Sequence, residues 1–416
     1  MVKGKAELRE LRRPAVSFAL LAATPMDPAL NPYTPGAGAP PPELAGRDAV
    51  LETARIAVVR TLAGRYARGQ FLLGLRGVGK TVLLNRIRIE AESAGCRAVA
   101  VESPEGRALP DLLVPALRRL LLGLDRGQQA GEAVRRAART LRSFASAFRV
   151  TLGEFEVGVE PGSADSGDIE FDLPDLLVAV GRAARERGTA AALFVDEVQY
   201  LSRPDLGALI VAAHQVAQRQ VPVIVFGAGL PQLAGLAGDA KSYAERLFEY
   251  VDTGALGDAD ARSALLQPAL QSGATIEPAA LDRLVRDTGG YPYFLQEWGR
   301  HAWNVAAGPV ITEADAEAAT ALAVEELDRG FFRVRLDRLT PREKAYLRAM
   351  AALGAGPHRS GAVADVLGMR VQSAGPLRGS LIAKGMIYSP AHGDTAFTVP
   401  MFDAFMRRTM PWPPEA

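Results

Sequence analysis

The apolar positions of the chain fall into two rhythms. Four short continuous runs, Phe71-Leu72-Leu73, Ala98 to Val101, Ala191 to Val195 and Val221 to Phe226, are separated by stretches with helical spacing. Apolar runs that alternate with helices predict an α/β fold, a parallel sheet with helices on both faces. An insertion, about residues 103–175, lies between the second and third runs. In it, Leu109 to Leu124 and Ala130 to Phe148 read as helices. The alternation of Phe155, Val157 and Val159, then Ile169, Phe171 and Leu173, reads as a β-hairpin, with the turn-rich Pro161 to Gly167 between its arms. The intervening Glu154, Glu156, Glu160, Glu170 and Asp172 would form a solvated acidic face, which repels phosphate.

Asp258 to about Glu326 is helical in period, with breaks at Ser272-Gly273, Gly289-Gly290 and Gly308-Pro309, and reads as a small helical domain. Thr340-Pro341-Arg342-Glu343 then opens a new helix with a hydroxyl cap, a proline at the first position and an acid at the third. A second short helix runs from Ser360 to Leu367. A third starts near Ser373, buries Ala374, Leu377 and Leu381, and ends at Gly385. Met386-Ile387-Tyr388 and Phe397-Thr398-Val399 flank a turn as a hairpin. Residues 27–43 carry Pro28, Pro32, Pro35, Gly36, Gly38 and Pro40 to Pro42, so they cannot be helix or sheet interior. The expected division is a flexible lead-in over 1–43, an α/β core over 44–257, a helical lid over 258–330 and a C-terminal module over 331–416.

Composition narrows the function. The 416 residues are 48% hydrophobic and 23% charged, which excludes a disordered or fibrous chain. Net charge is +1, so no global field draws the protein to nucleic acid or to a membrane. The charge is unevenly spread. Residues 331–410 hold twelve basic and five acidic groups, a local +7 that leaves −6 for the rest. One cysteine, Cys96, allows neither an internal disulfide nor a cysteine-based metal site. No apolar run reaches the roughly 18 residues of a membrane span. Arg12-Arg13 before Ala15 to Ala23 superficially resembles a secretion signal; a start at Met26, or a disordered tail, is the preferred reading. A nucleotide-hydrolysing protein is expected in the cytoplasm.

The chemistry concentrates after the first apolar run. Gly74-Leu75-Arg76-Gly77-Val78-Gly79-Lys80-Thr81 fits G-x-x-x-x-G-K-[ST], and an apolar helix beginning at Val82 follows. Glycines let backbone N–H groups wrap an anion, and the new helix adds its dipole at the same spot. Lys80 supplies a positive charge to the β- and γ-phosphates, and Thr81 offers a hydroxyl to Mg²⁺. The third run ends in Asp196-Glu197. A carboxylate at the end of a buried strand can hold the Mg²⁺ shell, and Glu197 beside it can polarise water for attack on the γ-phosphate. The Ala98 to Val101 run intervenes, as in NTPases that place a strand between the loop strand and the acidic strand.

With these motifs the chain resembles AAA+ ATPases of the Orc-like group, near the STAND regulators, from about Leu44 to the C-terminus. Leu44-Ala45-Gly46-Arg47-Asp48 is similar to the family's leading Gly-Arg-acid motif, which implies adenine-side contacts near Arg47. Asp196-Glu197-Val198-Gln199 is similar to its acidic motif. Gly289-Gly290-Tyr291-Pro292 is similar to the Gly-x-Pro motif that closes the lid over nucleotide, implying contacts from Tyr291 and Pro292. ATP/ADP and Mg²⁺ are the implied ligands, and adenine over guanine rests on this resemblance alone. The sequence departs from the family twice. Phe226-Gly227-Ala228-Gly229 offers no polar sensor, Gln232 being the nearest amide, and the lid lacks a sensor arginine where Tyr291-Pro292 stand. Slow turnover is the implication. Relatives supply an arginine to a neighbour's γ-phosphate, for which Arg246 is the candidate, implying self-association in the ATP state.

The C-terminal helices and hairpin resemble a winged helix-turn-helix like that of Orc-like initiators. Its basic balance suits a duplex DNA backbone. Arg370, Arg378 and Lys384 are the candidate phosphate contacts, and Arg359 is a further candidate DNA contact. Gln372 and Ser373 face outward on the candidate recognition helix but are short, so weak sequence preference is expected. The alternative is a STAND-like signalling ATPase whose winged helix makes protein or self-inhibitory contacts.

Overall fold

A computed structural model of the chain describes residues 26–36, 38–125, 131–151 and 164–412. After α1 (Asp48–Leu62), strand β1 (Gly69–Leu73) leads into α2 (Lys80–Ser93), and β2 (Arg97–Glu102) into α3 (Leu109–Asp125) and α4 (Glu132–Ala147). Then come α5 (Ile169–Glu186), β3 (Ala191–Asp196), α6 (Arg203–Gln218), β4 (Val223–Gly229), α7 (Leu233–Ala240), α8 (Ala244–Leu247) and β5 (Phe248–Asp252). The five strands pair in the order β2-β3-β4-β1-β5, and every pairing is parallel. β1 and β3 are buried along their whole length, the signature of central parallel strands covered on both faces. The fold class expected from the sequence is therefore present.

Three expectations need correction. The strand lying between the loop strand and the acidic strand in the sheet is β4, and Ala98–Val101 belongs to β2 at the far edge. The edge strand β5 has no continuous apolar run, because it is half-exposed, and periodicity missed it. The proposed second hairpin arm, Ile169 to Leu173, is the first turn of α5. Asp168 caps that helix by accepting from the Glu170 N–H at 2.9 Å. Leu173, Leu176, Leu177 and Val180 are buried at helical spacing, and this longer pattern outweighs the local alternation that includes the exposed Phe171. The first arm, Phe155 to Val159, lies outside the described residues. The acidic face does not form on the second arm either: Asp172 is buried, accepting from the Ser166 hydroxyl at 2.7 Å, and Glu170 pairs with Lys241.

The lid comprises α9 (Asp258–Gln271), β6 (Thr275–Ile276), α10 (Pro278–Thr288), α11 (Pro292–Val305), β7 (Val310–Ile311) and α12 (Glu313–Glu326). Its breaks fall where the glycines predict, and β6 and β7 pair in parallel across two of them. A π-helical turn, Leu327–Phe332, carries α12 directly into α13 (Arg333–Asp337). There is thus no linker at 330. Beyond it stand α14 (Pro341–Leu353), β8 (His358–Arg359), α15 (Ser360–Val366), α16 (Val371–Ala383), β9 (Ile387–Tyr388), β10 (Asp394–Phe397) and α17 (Phe402–Thr409). The strands form an antiparallel sheet ordered β8-β10-β9. Thr340 and Glu343 form the reciprocal cap their spacing predicted. Lid and C-terminal module share one hydrophobic core, with the Phe332 ring 5.6 Å from Phe402 and 5.2 Å from Phe405.

The lead-in is also more than a tether. From Met26 it is laid along the lid as a strap. The Trp303 indole donates to the Asp27 carbonyl at 3.0 Å, and the Asn31 amide to the Arg300 carbonyl at 2.9 Å. Tyr33 is buried, donates to the Leu265 carbonyl, and packs on Gly299, where a Cβ would stand 2.6 Å from its ring. Tyr33→Ala empties this aromatic site at a cost of about 3–5 kcal/mol, the usual range for a buried ring. Scanning calorimetry should show the lid transition lowered by several degrees; an unchanged profile would mean that the strap does not brace the lid.

Candidate functional site

The loop between β1 and α2 is wound by Gly77 and Gly79, whose φ values of 87° and 88° lie in the left-handed region. At Gly74 a Cβ would stand 2.1 Å from the Thr253 carbonyl, so the loop can leave the sheet only through glycine. Lys80 opens α2, only 6% exposed, and its ammonium donates to the Leu75 carbonyl at 2.8 Å. Burial lowers its pKa, against the Glu197 and Asp196 carboxylates, which raise it, and Arg76 lowers it further. A buried ammonium among backbone amides is the arrangement an anion completes.

Asp196 and Glu197 stand at the end of β3. The Thr81 hydroxyl donates to Asp196 Oδ2 at 2.6 Å, and the Glu197 N–H to Asp196 Oδ1 at 2.8 Å. Burial raises the Asp196 pKa, while the Thr81 and Glu197 donors lower it, and the Glu197 charge adds to the rise. The pairing of Thr81 with Asp196 provides oxygen donors of the kind a Mg²⁺ shell uses. Glu197 sits in the left-handed region at φ 53°, which turns its side chain off the strand axis. The Gln199 amide donates to the Glu197 carboxylate, and Gln199 Oε1 accepts from the Leu230 N–H at 3.0 Å. Gln199 thus ties the acidic pair to the end of β4, where the sequence offered no polar sensor. Gln232 only begins the following helix.

Lid and core meet over the loop. Tyr291, the residue before α11, donates its hydroxyl to the Arg76 carbonyl, and the Tyr293 N–H donates to the Gly77 carbonyl at 3.1 Å. The C-terminal module reaches the same loop: the Arg76 N–H donates to the Thr398 carbonyl at 3.3 Å. A Cβ on Gly385 would stand 2.5 Å from the Arg76 guanidinium and 2.7 Å from the Tyr200 hydroxyl, which accepts from Arg76.

These elements enclose a cavity of about 510 Å³, within the range of small-molecule sites. Arg47, Arg76, Gly77, Val78, Gly79, Lys80, Thr81, Val82, Glu197 and Pro292 all line it, as the motifs imply. Gly74 and Tyr291 stand behind the lining and shape it. Arg47 donates to the Gly254 carbonyl at 2.7 Å; burial lowers its pKa, against Asp260 and Asp252. Arg246 is exposed on α8 and does not reach the cavity of its own chain. The sequence reading missed the strap residues Thr34, Pro35, Gly36, Gly38 and Ala39, the lid residues Tyr293 and Gln296, and Phe331 and Arg335 from the C-terminal side. Their only signal lay in a proline-rich stretch and an Arg-Phe cluster, neither of which carries a phosphate motif.

The candidate DNA contacts divide. Arg370, Gln372 and Ser373 are exposed at the start of α16. Arg359 is exposed but pairs with Asp394 at 3.1 Å. Arg378 is held inside the module by the Thr395 hydroxyl at 2.9 Å and the Asp394 carbonyl at 2.9 Å. Lys384 is neutralised by Glu343 at 2.7 Å. Burial raises the Glu343 pKa, but the Lys384, Ser380 and Thr340 donors overcome it and hold the carboxyl at about 2. Neither Arg378 nor Lys384 is a free surface charge.

Fold and site define a P-loop nucleotide-binding protein with a helical lid. Residues 43–226 match the profile of the AAA ATPase domain, the family that the motifs resemble. Residues 329–406 match a Domain of unknown function (DUF8462). No curated protein matches the chain. Among solved structures it is similar to the Aeropyrum pernix Orc1 protein in complex with DNA, at 15% identity and a TM-score of 0.46, over 89% of this chain and 94% of that one. It is also similar to Cdc6p from Pyrobaculum aerophilum, at 14% identity and a TM-score of 0.46, over 93% and 98%. A third is the Thermotoga maritima RuvB Holliday junction branch migration motor, at 15% identity and a TM-score of 0.42, over 88% and 95%.

The raised Asp196 pKa has a consequence for stability. A carboxyl whose folded pKa exceeds its unfolded value contributes stability below the unfolded pKa and loses it as pH rises through the folded one. At neutral pH the ionised Asp196 therefore weakens the nucleotide-free fold. Asp196→Asn should melt at or above the wild-type temperature at neutral pH, with the gap closing towards the carboxylate range near pH ~4. The same variant should lose the Mg²⁺ dependence of nucleotide affinity. A variant that melts lower at neutral pH and keeps that dependence contradicts this account of the site.

Proposed function

We propose that the protein is an ATP-hydrolysing switch in which nucleotide state is coupled to duplex DNA binding by the C-terminal module. The observation that carries the coupling is the contact of that module with the phosphate loop itself, through Arg76 and Thr398. A ligand that reshapes the loop necessarily changes this contact.

In this reading ATP lies in the cavity with its phosphates on the loop amides and Lys80. Thr81 and Asp196 hold Mg²⁺, which supplies charge neutralisation to the β- and γ-phosphates when bound. Glu197, oriented by Gln199, positions a water and takes its proton as the water oxygen bonds to the γ-phosphorus and the bond to the ADP oxygen breaks. Arg246, exposed and remote from its own cavity, serves a neighbouring subunit in the ATP-bound assembly.

In the C-terminal module, α14, α15 and α16 with the β8-β10-β9 sheet have the element order of a winged helix, α16 being the recognition helix. Arg370 at its start and the exposed Arg333, Arg338 and Arg342 supply the free positive charge. A second reading, in which the module makes protein or self-inhibitory contacts, draws on the internal engagement of Arg378 and Lys384.

The test combines nucleotide and DNA titrations. Lys80→Ala should lose ATP binding, and Glu197→Gln should keep ATP while phosphate release falls by two or more orders of magnitude, at the scale of a lost general base, ~10²–10⁴. Equal release from Glu197→Gln and wild type removes the hydrolysis step. Duplex DNA affinity should fall with salt at a log–log slope of roughly −4, for about four or five phosphate contacts. A flat salt response, or no DNA binding with and without ATP, favours the second reading.

A further inference from the structure

The cavity has one wall that no hydrophobic core holds. The phosphate loop is anchored in the sheet, and Tyr293, Leu295 and Gln296 stand on α11 in the body of the lid. Another side is the strap, to which Thr34, Pro35, Gly38, Pro41 and Glu43 contribute. It runs from the lid to α1 of the core. An ideal Cβ on Gly38 would lie 3.5 Å from the Thr81 methyl, so the strap passes beside the phosphate-binding end of the site. Among the described residues of 35–43 none is buried, and no hydrogen bond joins them to the lid or the core.

Proline makes that wall easy to detach. Pro35, Pro40, Pro41 and Pro42 have no N–H, so lifting the segment strands few donors, and their fixed φ angles keep it extended when free. The hold is concentrated just before it. Tyr33 is the single buried side chain among the described residues of 26–43. Its ring fills the slot over Gly299, and its hydroxyl donates to the Leu265 carbonyl. The Thr34 N–H donates to Gln296 Oε1 at 3.2 Å, the last contact before the free stretch. A segment held by one ring and a few hydrogen bonds opens at a lower free energy than the cores around it.

We propose that the strap is the gate of the cavity and Tyr33 its latch. Nucleotide enters and leaves when the ring lifts out of the Gly299 slot and the proline stretch swings aside, while Tyr291, Tyr293 and Val78 keep the lid seated on the phosphate loop. This rests on the reading that a nucleotide fills the cavity. The latch governs rates and not affinity. It closes in the same way over an empty and a filled cavity, so the open fraction multiplies entry and exit alike. A weaker latch speeds both and leaves their ratio unchanged.

The experiment mixes the full chain with a fluorescent ADP and Mg²⁺ in stopped flow, then chases with unlabelled ADP, so that both rates are read. Tyr33→Phe removes only the hydroxyl contact. It should raise association and release together by about three- to tenfold, with the dissociation constant changed by less than about twofold. The pair Tyr33→Cys with Gly299→Cys makes the latch reversible. An ideal Cβ on Gly299 lies 2.8 Å from Tyr33 Cγ, which brings the two Cβ atoms within the ~4.5 Å reach of a disulfide, and the one native thiol, Cys96, is buried. Reduced, the pair should exchange nucleotide faster than wild type. Oxidised, it should exchange roughly tenfold or more slowly than when reduced, and dithiothreitol should restore the fast rate. Both states are assayed below the lid transition. Release that speeds without association makes the strap a binding contact, and rates that ignore both Tyr33→Phe and the disulfide leave Tyr33 a packing residue; either result overturns the proposal. Wild-type protein that binds no nucleotide overturns the proposed function as well, so the two failures are told apart by the wild-type trace.

Discussion

Everything in this structure is arranged around positive charge that the protein buries and does not neutralise. Lys80 donates only to a backbone carbonyl and is nearly sealed from water. Arg76 holds an orphaned donor, and Arg335 rests on an aromatic face. The Asp196 and Glu197 carboxylates partly offset this, but they are committed to Thr81 and Gln199. Isolated ions in a low-dielectric interior are expensive, and proteins tolerate them only where a partner completes the set. The free fold is therefore held in a condition that a multiply charged anion relieves. Its binding energy is spent partly on that relief, so loop, strand ends and lid are drawn to one ligand.

The packing converts this local electrostatics into a mechanical statement. The α/β core has its own apolar clusters on the two faces of the sheet. The lid and the C-terminal module share a third, which runs from Tyr33 of the strap through Trp298 to Phe405. A core shared this way resists internal shear, because close-packed interiors do not deform continuously. The seam between the two bodies runs across the cavity, where Val78 of the phosphate loop packs into the lid's core and a few polar contacts join the rest. Tyr291, Tyr293 and Thr398 all meet the phosphate loop at backbone atoms of Arg76 and Gly77. Strap, lid and C-terminal module are then expected to shift as one when the loop changes its ligand.

How much of this the sequence disclosed depends on whether the signal was local. The phosphate loop, the acidic pair and the Thr340 cap are determined by neighbours a few residues apart, so their spacing could be read directly. β5 escaped because Glu249 and Asp252 interrupt its apolar residues, and α5 was misread because five residues of alternation sit inside a helical pattern three times as long. The strap escaped for a different reason. Prolines forbid regular structure, but they say nothing about whether an extended chain is bound, and here Tyr33 anchors it in a slot that Gly299 leaves open on a helix far along the chain. Arg335 and Gln199 belong to the same class. Each acts through a partner that is remote in sequence or through a side-chain direction that spacing does not encode.

The C-terminal module shows why a charge count is a weak guide to a binding surface. Its excess of basic residues is real, yet the charges serve several masters. Lys384 is consumed by Glu343, Arg407 by Asp403, and Arg408 by Asp328 of the π-helical turn. Arg348 donates to the Met410 carbonyl, and Arg378 braces the β-hairpin. Arg335 turns inward to the cavity. What remains free is a smaller set, Arg333, Arg338, Arg342 and Arg370, together with an Arg359 that is exposed but paired. A phosphate backbone responds to the charge that solvent can see, since paired groups release no counterions on binding. The electrostatic footprint of the module is accordingly that of this free set. Arg333, Arg338 and Arg342 lie close in sequence to Arg335, which lines the cavity, whereas Arg370 stands apart at the start of α16.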